Sequence, residues 1–175
     1  MRVQWADKRK IPGQNMTVEQ FRKIVNYFRY IHFCGQISDP IFNPNLITFL
    51  SMCKDANKGS TMHTAASQRP ISWYKEAFDT NPDTRWIFGL DGLPEESCMY
   101  RVNQDGEKLF EAMKMGAKKG LQIDWQYIVF SYNEDHVEEA YNMAKDNGIQ
   151  FIVNYSGRWT GEKDPYKPRN PKFST

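Results

Sequence analysis

The sequence contains few cysteines, and none of them is spaced for a metal. Cys34, Cys53 and Cys98 lie far apart, and no C-x-x-C pair is present. An odd number of widely spaced cysteines argues against a disulfide framework and against a local zinc site. We therefore expect three reduced thiols and no metal site made by this chain alone.

The sequence also lacks a long apolar run and an excess of charge of one sign. No stretch approaches the roughly 20 apolar residues that cross a bilayer, and the start, MRVQWADKRK, has no apolar signal segment. The 23 basic and 21 acidic residues are scattered and leave a formal charge of +2, which provides no strong field for nucleic acid or a membrane surface. A cytosolic protein with neither partner is expected.

Apolar residues recur instead with alternating helix and strand periods. The run from Phe21 to Phe28 has helical spacing and follows a capping box formed by Thr17 and Gln20. Short apolar runs begin near residues 30, 61, 86, 123 and 150, and a βα unit takes about 30 residues. This alternation predicts an α/β protein with a parallel sheet.

The composition divides the chain into three parts. Residues 1–15 are polar and irregular, residues 16–155 carry the βα units, and residues 156–175 are rich in Gly, Pro, Lys and Arg. With 40% hydrophobic and 14% aromatic residues, the chain can bury one core. We predict one domain over 16–155, between an irregular N-terminal segment and a flexible C-terminal tail.

The loops that follow the strands are polar, and right-handed βαβ crossovers gather them at one edge of the sheet, where α/β proteins bind ligands. Their sequences are GQISDP, HTAAS, GLDG, SYNED and VNYSG. Asp39 and Asp91 in these loops are either ligand-binding carboxylates or caps of the helices that follow. His32 and His63 fall inside strands, where a packed or solvent-facing histidine is the simpler interpretation.

In order and spacing, these loops resemble those of the radical S-adenosylmethionine enzymes over residues 17–154. FCGQISDPIFNPNL is similar to that family's glycine-rich G-x-x-G-[ED]-P loop, with Ser38 at the second glycine. HTAAS, GLDG with the later YR, and SYNED resemble the next three loops, although Ala65, Ala66 and Gly89 replace residues usual in the family. The resemblance implies a partial (β/α) barrel of about five parallel strands with helices on its outer face.

The resemblance also implies a small-molecule cofactor, S-adenosylmethionine, and residues that bind it. The glycine-rich loop would hold the amino group, since an ammonium prefers carbonyl and carboxylate oxygens. Arg101 would contact a cofactor carboxylate or be only a solvated loop charge. The implied residues are Gly35, Gln36, Ser38, Asp39, Thr64, Asp91, Arg101 and Asn133. No catalytic residue is assigned.

The part of the family pattern that carries the redox chemistry is missing. These enzymes hold a [4Fe–4S] cluster with a C-x-x-x-C-x-x-C loop after their first strand, and this sequence has no cysteine before Cys34. We therefore expect the core to lack that strand and to be inactive alone. The exposed sheet edge would then pair with a separate N-terminal cluster-binding segment or with a second copy.

Three functions fit the sequence. The first is a truncated or split enzyme core that binds S-adenosylmethionine and, with the missing cluster-binding segment, generates a 5′-deoxyadenosyl radical. The second is a non-catalytic relative that binds S-adenosylmethionine or a protein. The third is an unrelated parallel α/β binding domain. No motif indicates the substrate.

Overall fold

The computed structural model describes residues 14–35 and 38–173, in which five α-helices alternate with five strands. The strands are β1 (Tyr30–Phe33), β2 (Gly59–Thr64), β3 (Arg85–Gly89), β4 (Ile123–Ile128) and β5 (Gln150–Asn154). The helices are α1 (Val18–Tyr27), α2 (Leu46–Asp55), α3 (Ile71–Thr80), α4 (Gly106–Lys118) and α5 (Val137–Asp146).

All five strands pair in parallel and in chain order, from β1 at one edge to β5 at the other. Each of the first four strands is followed by a helix that returns the chain to the amino end of the sheet. Because right-handed crossovers that advance in one direction place their helices on the same face, the result is an open α/β sheet of the partial-barrel type. The predicted fold class is confirmed.

Local signals in the sequence set the ends of two helices. Thr17 Oγ1 accepts the N–H of Gln20 at 3.2 Å, and the Gln20 side chain accepts the N–H of Thr17 at 2.9 Å, which is the predicted capping box. Gly120 follows α4 with a φ of +84°, a left-handed conformation that suits glycine after a helix. No helix within residues 14–35 and 38–173 is both long enough and apolar enough to cross a membrane.

An asparagine followed by proline, as in Asn43-Pro44, is typical of a helix that begins at the proline, but α2 begins at Leu46. The Asn43 side chain instead accepts the N–H of Asn45 at 2.9 Å. This contact closes a turn directly after a short 3-10 helix at Pro40–Phe42. The asparagine therefore caps the turn and not the helix.

The two faces of the sheet have different compositions. Trp86 and Phe88 of β3 are fully buried on the helix side, where the Trp86 ring lies 5.1 Å from that of Phe78 in α3. Arg85 and Ile87 alternate with them and point to the other face, away from the helices. We call this second face the open face. By strand register it includes Tyr30, His32, Thr61, His63, Arg85, Ile87, Asp124, Gln126, Ile128, Gln150, Ile152 and Asn154.

Residues 156–173 lie against the loop that follows β4. The hydroxyl of Ser131 donates to the carbonyl of Pro165 at 2.6 Å, and its N–H donates to the carbonyl of Tyr166 at 3.1 Å. Phe173 is only 7% exposed. These contacts place the segment beside the carboxyl edge of the sheet, while the domain boundaries at residues 15 and 155 stay a prediction.

We expect Trp86→Ala to lower the free energy of unfolding by about 3–5 kcal/mol, because it leaves a cavity among packed aromatic rings. Urea unfolding followed by circular dichroism measures the change. Tyr27→Ala is the control, since Tyr27 is 81% exposed and its loss should cost no more than about 0.5 kcal/mol. Equal losses for the two variants would contradict the assignment of Trp86 to the core.

Candidate functional site

Asp39 joins the loop after β1 to the loop after β2. Its Oδ2 accepts the N–H groups of Ala65 at 2.8 Å and Ala66 at 3.2 Å. Its Oδ1 accepts the hydroxyl of Thr64 at 2.9 Å and the N–H of Ile41 at 3.2 Å. Both carboxylate oxygens, and the hydroxyl of Thr64, are therefore used by the chain's own groups.

Gly35 and Ser38 shape the loop that leads to Asp39. A Cβ at position 35 would overlap the backbone oxygen of Ser38, so this close approach of the chain requires glycine. The Ser38 residue is exposed, and Gln36 lies outside the described residues. An ammonium bound by this loop would need its backbone carbonyls, because the oxygens of Asp39 are occupied.

Asp91 is fully buried at the end of β3 and is paired with Arg101. Its Oδ2 accepts from Arg101 Nε at 2.7 Å, and its Oδ1 accepts the N–H of Ile128 at 3.0 Å. The hydroxyl of Tyr132 donates to the backbone oxygen of Asp91 at 2.6 Å. Burial raises the pKa of Asp91, while the Arg101 guanidinium and the Ile128 N–H lower it. The carboxylate therefore connects β3, β4 and the two loops that follow them.

Arg101 keeps hydrogen-bonding capacity for a ligand. Among the described residues only its Nε has a partner, and the side chain is 29% exposed. Gly89 makes room for it, since a Cβ at position 89 would lie 3.2 Å from Arg101 Nη2. A guanidinium edge with two free nitrogens suits a carboxylate.

Gln104, which the sequence did not single out, lies beside the same strand end. Its Nε2 donates to the carbonyls of Ala65 at 2.5 Å and Gly89 at 3.0 Å, which fixes the orientation of the amide. Its Oε1 is buried and has no partner within the described part of the chain. A buried acceptor without a partner is rare in proteins, and a water, an ion or a ligand can fill that role.

Arg101 lines two cavities. The first, of about 430 Å³, is bordered by Ala65, Ala66 and Gln104. The second, of about 650 Å³, lies between the ends of β4 and β5 and the segment after β5. The second contains Tyr100 and Phe130, whose rings stack at 4.2 Å, together with Asn154, Trp159 and Tyr166. The first, polar cavity and the second, aromatic cavity therefore meet at Arg101.

Asn133 is fully buried and shapes the loop after β4. Its Oδ1 accepts the N–H of Phe130 at 2.7 Å, and its Nδ2 donates to the carbonyl of Ile128 at 3.0 Å. The structure therefore brings the described members of the predicted set to one edge of the sheet. The side chains of Asn133, Thr64 and Asp39, however, form their hydrogen bonds with the backbone or with each other. The ligand-binding roles of the whole set stay a prediction.

The three cysteines do not fit an iron–sulfur cluster. Cys34 is exposed after β1, Cys53 is buried in α2, and Cys98 is exposed in the 3-10 helix Ser97–Met99. Burial raises the pKa of the Cys53 thiol to about 11, which opposes the thiolate form that a cluster requires. Within residues 14–35 and 38–173, no group of three His, Cys, Asp or Glu side chains could hold a metal ion.

Solved structures share this arrangement of strands and helices. Streptococcus suis SuiB bound to S-adenosylmethionine matches with a TM-score of 0.65 over 81% of this chain, at 14% identity. The chain has the core fold of the radical S-adenosylmethionine enzymes. Native anSMEcpe with bound AdoMet and Cp18Cys peptide matches with a TM-score of 0.57 over 83% of the chain, at 15% identity.

The radical S-adenosylmethionine fold is therefore confirmed, at identities that show the fold alone. The chain spans about a third of the length of SuiB, 32%, and 45% of that of anSMEcpe. No family model matches the sequence, and no curated protein matches it.

We expect Arg101→Gln to lower the free energy of unfolding at about pH 7 by about 3 kcal/mol, because it leaves the buried Asp91 carboxylate without a cation. Without Arg101 the pKa of Asp91 lies further above its unfolded value. The loss in free energy of unfolding is therefore full when the pH is above the pKa of Asp91 in the folded variant. It becomes smaller as the pH falls towards the pKa of Asp91 in the unfolded chain, about 4.

Urea unfolding at about pH 7 and about pH 5 measures this dependence. Arg22→Gln, at an exposed position of α1, removes the same charge and should have little effect at either pH. A loss that does not change with pH would show that Asp91 and Arg101 are not coupled.

Proposed function

We propose that this domain binds S-adenosylmethionine at the carboxyl edge of its sheet and forms the core of a radical enzyme whose cluster is held by a separate cysteine-bearing segment. One observation carries the proposal. The free guanidinium nitrogens of Arg101 and the unpartnered Oε1 of Gln104 border the same cavity. The fold, shared with a structure bound to S-adenosylmethionine, supports the choice of ligand.

An α-amino acid end has one carboxylate and one ammonium, and the cavity offers one partner for each. Arg101 would hold the carboxylate through its two free nitrogens, and Gln104 Oε1 would accept from the ammonium. Both side chains are held before a ligand arrives, Arg101 by Asp91 and Gln104 by the carbonyls of Ala65 and Gly89. Such preorganisation lowers the entropy cost of binding.

The second cavity suits the adenosine end. Stacked Tyr100 and Phe130 offer an aromatic surface, and Trp159 Nε1 is a buried donor with no partner in the described part of the chain. A purine supplies both a ring face and ring nitrogens that accept hydrogen bonds. When bound, S-adenosylmethionine would supply the 5′-deoxyadenosyl group that this class of enzyme releases as a radical.

The cluster would be held elsewhere, because the cysteines of this chain do not fit it. The cluster-bearing segment would pair with β1, which is an edge strand of the sheet and therefore offers unpaired backbone groups.

The same placement of cysteines favours a second candidate, a domain that binds S-adenosylmethionine without radical chemistry. Three free thiols fit the cytosolic location predicted from the sequence.

Isothermal titration calorimetry of the whole chain with S-adenosylmethionine tests the binding site. We expect Gln104→Met to weaken binding about tenfold or more, because the ammonium loses a buried acceptor. 5′-Methylthioadenosine, which lacks the amino acid end, should bind the wild type and Gln104→Met equally. Gln122→Met, at an exposed position before β4, is the matched control and should bind as the wild type does.

No heat with the wild type at millimolar ligand would overturn the proposed site. An equal loss of both ligands in Gln104→Met would instead mean that the substitution disrupts the whole edge of the sheet, and the assignment of Gln104 to the amino group would be wrong.

Anaerobic reconstitution with iron and sulfide separates the two candidates. We expect the chain alone to take up no stoichiometric cluster and to release no 5′-deoxyadenosine with a strong reductant, because its thiols do not converge. A fragment with a C-x-x-x-C-x-x-C loop should restore both for an enzyme core and neither for a binding domain. Cys34→Ser should not change the result. Cluster uptake with 5′-deoxyadenosine formation by the chain alone would overturn the split arrangement.

A further inference from the structure

The amino-terminal half of the open face carries a group of ionisable side chains that the proposed function does not use. It consists of His32 on β1, His63 on β2, Arg85 on β3 and Asp124 on β4. The register pairs Arg85 with Thr61 of β2. His63 and Asp124 both pair with Ile87, which lies two residues after Arg85 on β3. The guanidinium of Arg85 therefore lies between the strands of the second histidine and the carboxylate.

The Asp124 carboxylate on β4 fixes the guanidinium of Arg85. Its side chain is fully buried, and Oδ2 accepts from Arg85 Nε at 2.7 Å and also from Nη2. A buried carboxylate requires a cation to offset its desolvation, which explains the two contacts from the arginine. Arg85 is still 33% exposed, and its Nη1 has no partner among the described residues. That nitrogen is the part of the guanidinium available to a ligand.

The two histidines extend this donor surface. Their rings lie 6.4 Å apart, and neither imidazole makes a hydrogen bond within the described part of the chain. The neighbouring hydroxyls of Tyr30 and Thr61 form a hydrogen bond with each other at 2.7 Å. The exposed polar groups of the cluster are therefore the Arg85 guanidinium and the two imidazoles, which can donate to a ligand. The remaining oxygen of its one carboxylate, Asp124 Oδ1, is buried and has no partner in the described part of the chain.

We propose that Arg85, His63 and His32 form a binding site for an oxyanion, the carboxylate or phosphate group of a ligand that lies on the open face. An oxyanion would accept from Arg85 Nη1 and from the imidazole N–H groups. The site is distinct from the proposed S-adenosylmethionine site. Arg85 begins β3 and Gly89 ends it, so the two sites are roughly 13 Å apart along the strand.

Binding at this site is coupled to a proton. Burial lowers the pKa of His63, as do His32 and Arg85, whereas Asp124 raises it. The charged groups that act on His63 are His32 on β1, Arg85 on β3 and Asp124 on β4. Uncharged polar side chains on the same face include Tyr30, Thr61 and Gln126. Because a bound oxyanion stabilises the imidazolium, it moves the titration of His63 to higher pH, and the affinity increases as the pH falls through that titration.

Nuclear magnetic resonance of the histidine side chains in the whole chain tests the proposal, without S-adenosylmethionine in the sample. The chain has only three histidines. The third, His136, lies in the loop after β4 with its Nδ1 2.6 Å from Glu96 Oε1, and it serves as the internal control. Sodium sulfate and sodium acetate are the probes, each against sodium chloride at matched ionic strength. We expect saturable shifts of His63 and His32, a higher titration midpoint for His63, and no shift of His136.

Two variants identify the donors. Arg85→Gln should weaken binding of the probe about tenfold or more, because a charged hydrogen-bond donor is lost. Arg22→Gln, with the same change in charge at an exposed position of α1, should not weaken it. His63→Gln leaves the pair of Arg85 and Asp124 intact, so it keeps the test valid if Arg85→Gln does not fold, and should weaken binding about threefold or more.

The outcomes separate the possible ligands. A preference for sulfate indicates a phosphate group, and a preference for acetate indicates a carboxylate. Shifts of all three histidines alike, shifts that chloride reproduces, or full affinity in His63→Gln would overturn the site. None of these results bears on S-adenosylmethionine, so failure here leaves the proposed function unchanged.

Discussion

The carboxyl edge of the sheet depends on the buried carboxylate of Asp91. An isolated ion at this depth would be prohibitively unstable, so the chain surrounds it with the Arg101 guanidinium and the Ile128 N–H. Each of these contacts also fixes a piece of the site. The guanidinium is aimed along the end of β3, and the start of the loop after β4 is held against β3. The free energy cost of burying one charge thus determines the positions of several groups that a ligand would meet.

Asp39 has a similar role one strand pair away, where it fastens the loops after β1 and β2. The acidic residues at the strand ends therefore build the edge, and the groups left free to bind are a cation, Arg101, and an amide, Gln104. A carboxylate in a loop after a strand is readily taken as a ligand contact. Here its oxygens are used within the protein, and the ligand-binding capacity lies with the residues it positions.

Much of the fold could be predicted from periodicity, because parallel βα units repeat and each leaves an apolar run. The open face was also encoded, in the alternation of Asp124 and Gln126 with the buried Ile123, Trp125 and Tyr127. Gln104 could not be predicted in the same way. Its role depends on where a single amide points, which is decided by backbone groups distant in sequence, such as the carbonyl of Ala65.

The chain-order arrangement of the strands has a consequence for how the sheet assembles. Every ladder of the described residues joins segments separated by one βα unit, as Tyr30 and Gly59 are, and none of them pairs the first strand with the last. Loop closure then costs a similar entropy at every step. Such a sheet can grow by one βα unit at a time, and a strand added at either margin would leave the existing ladders unchanged.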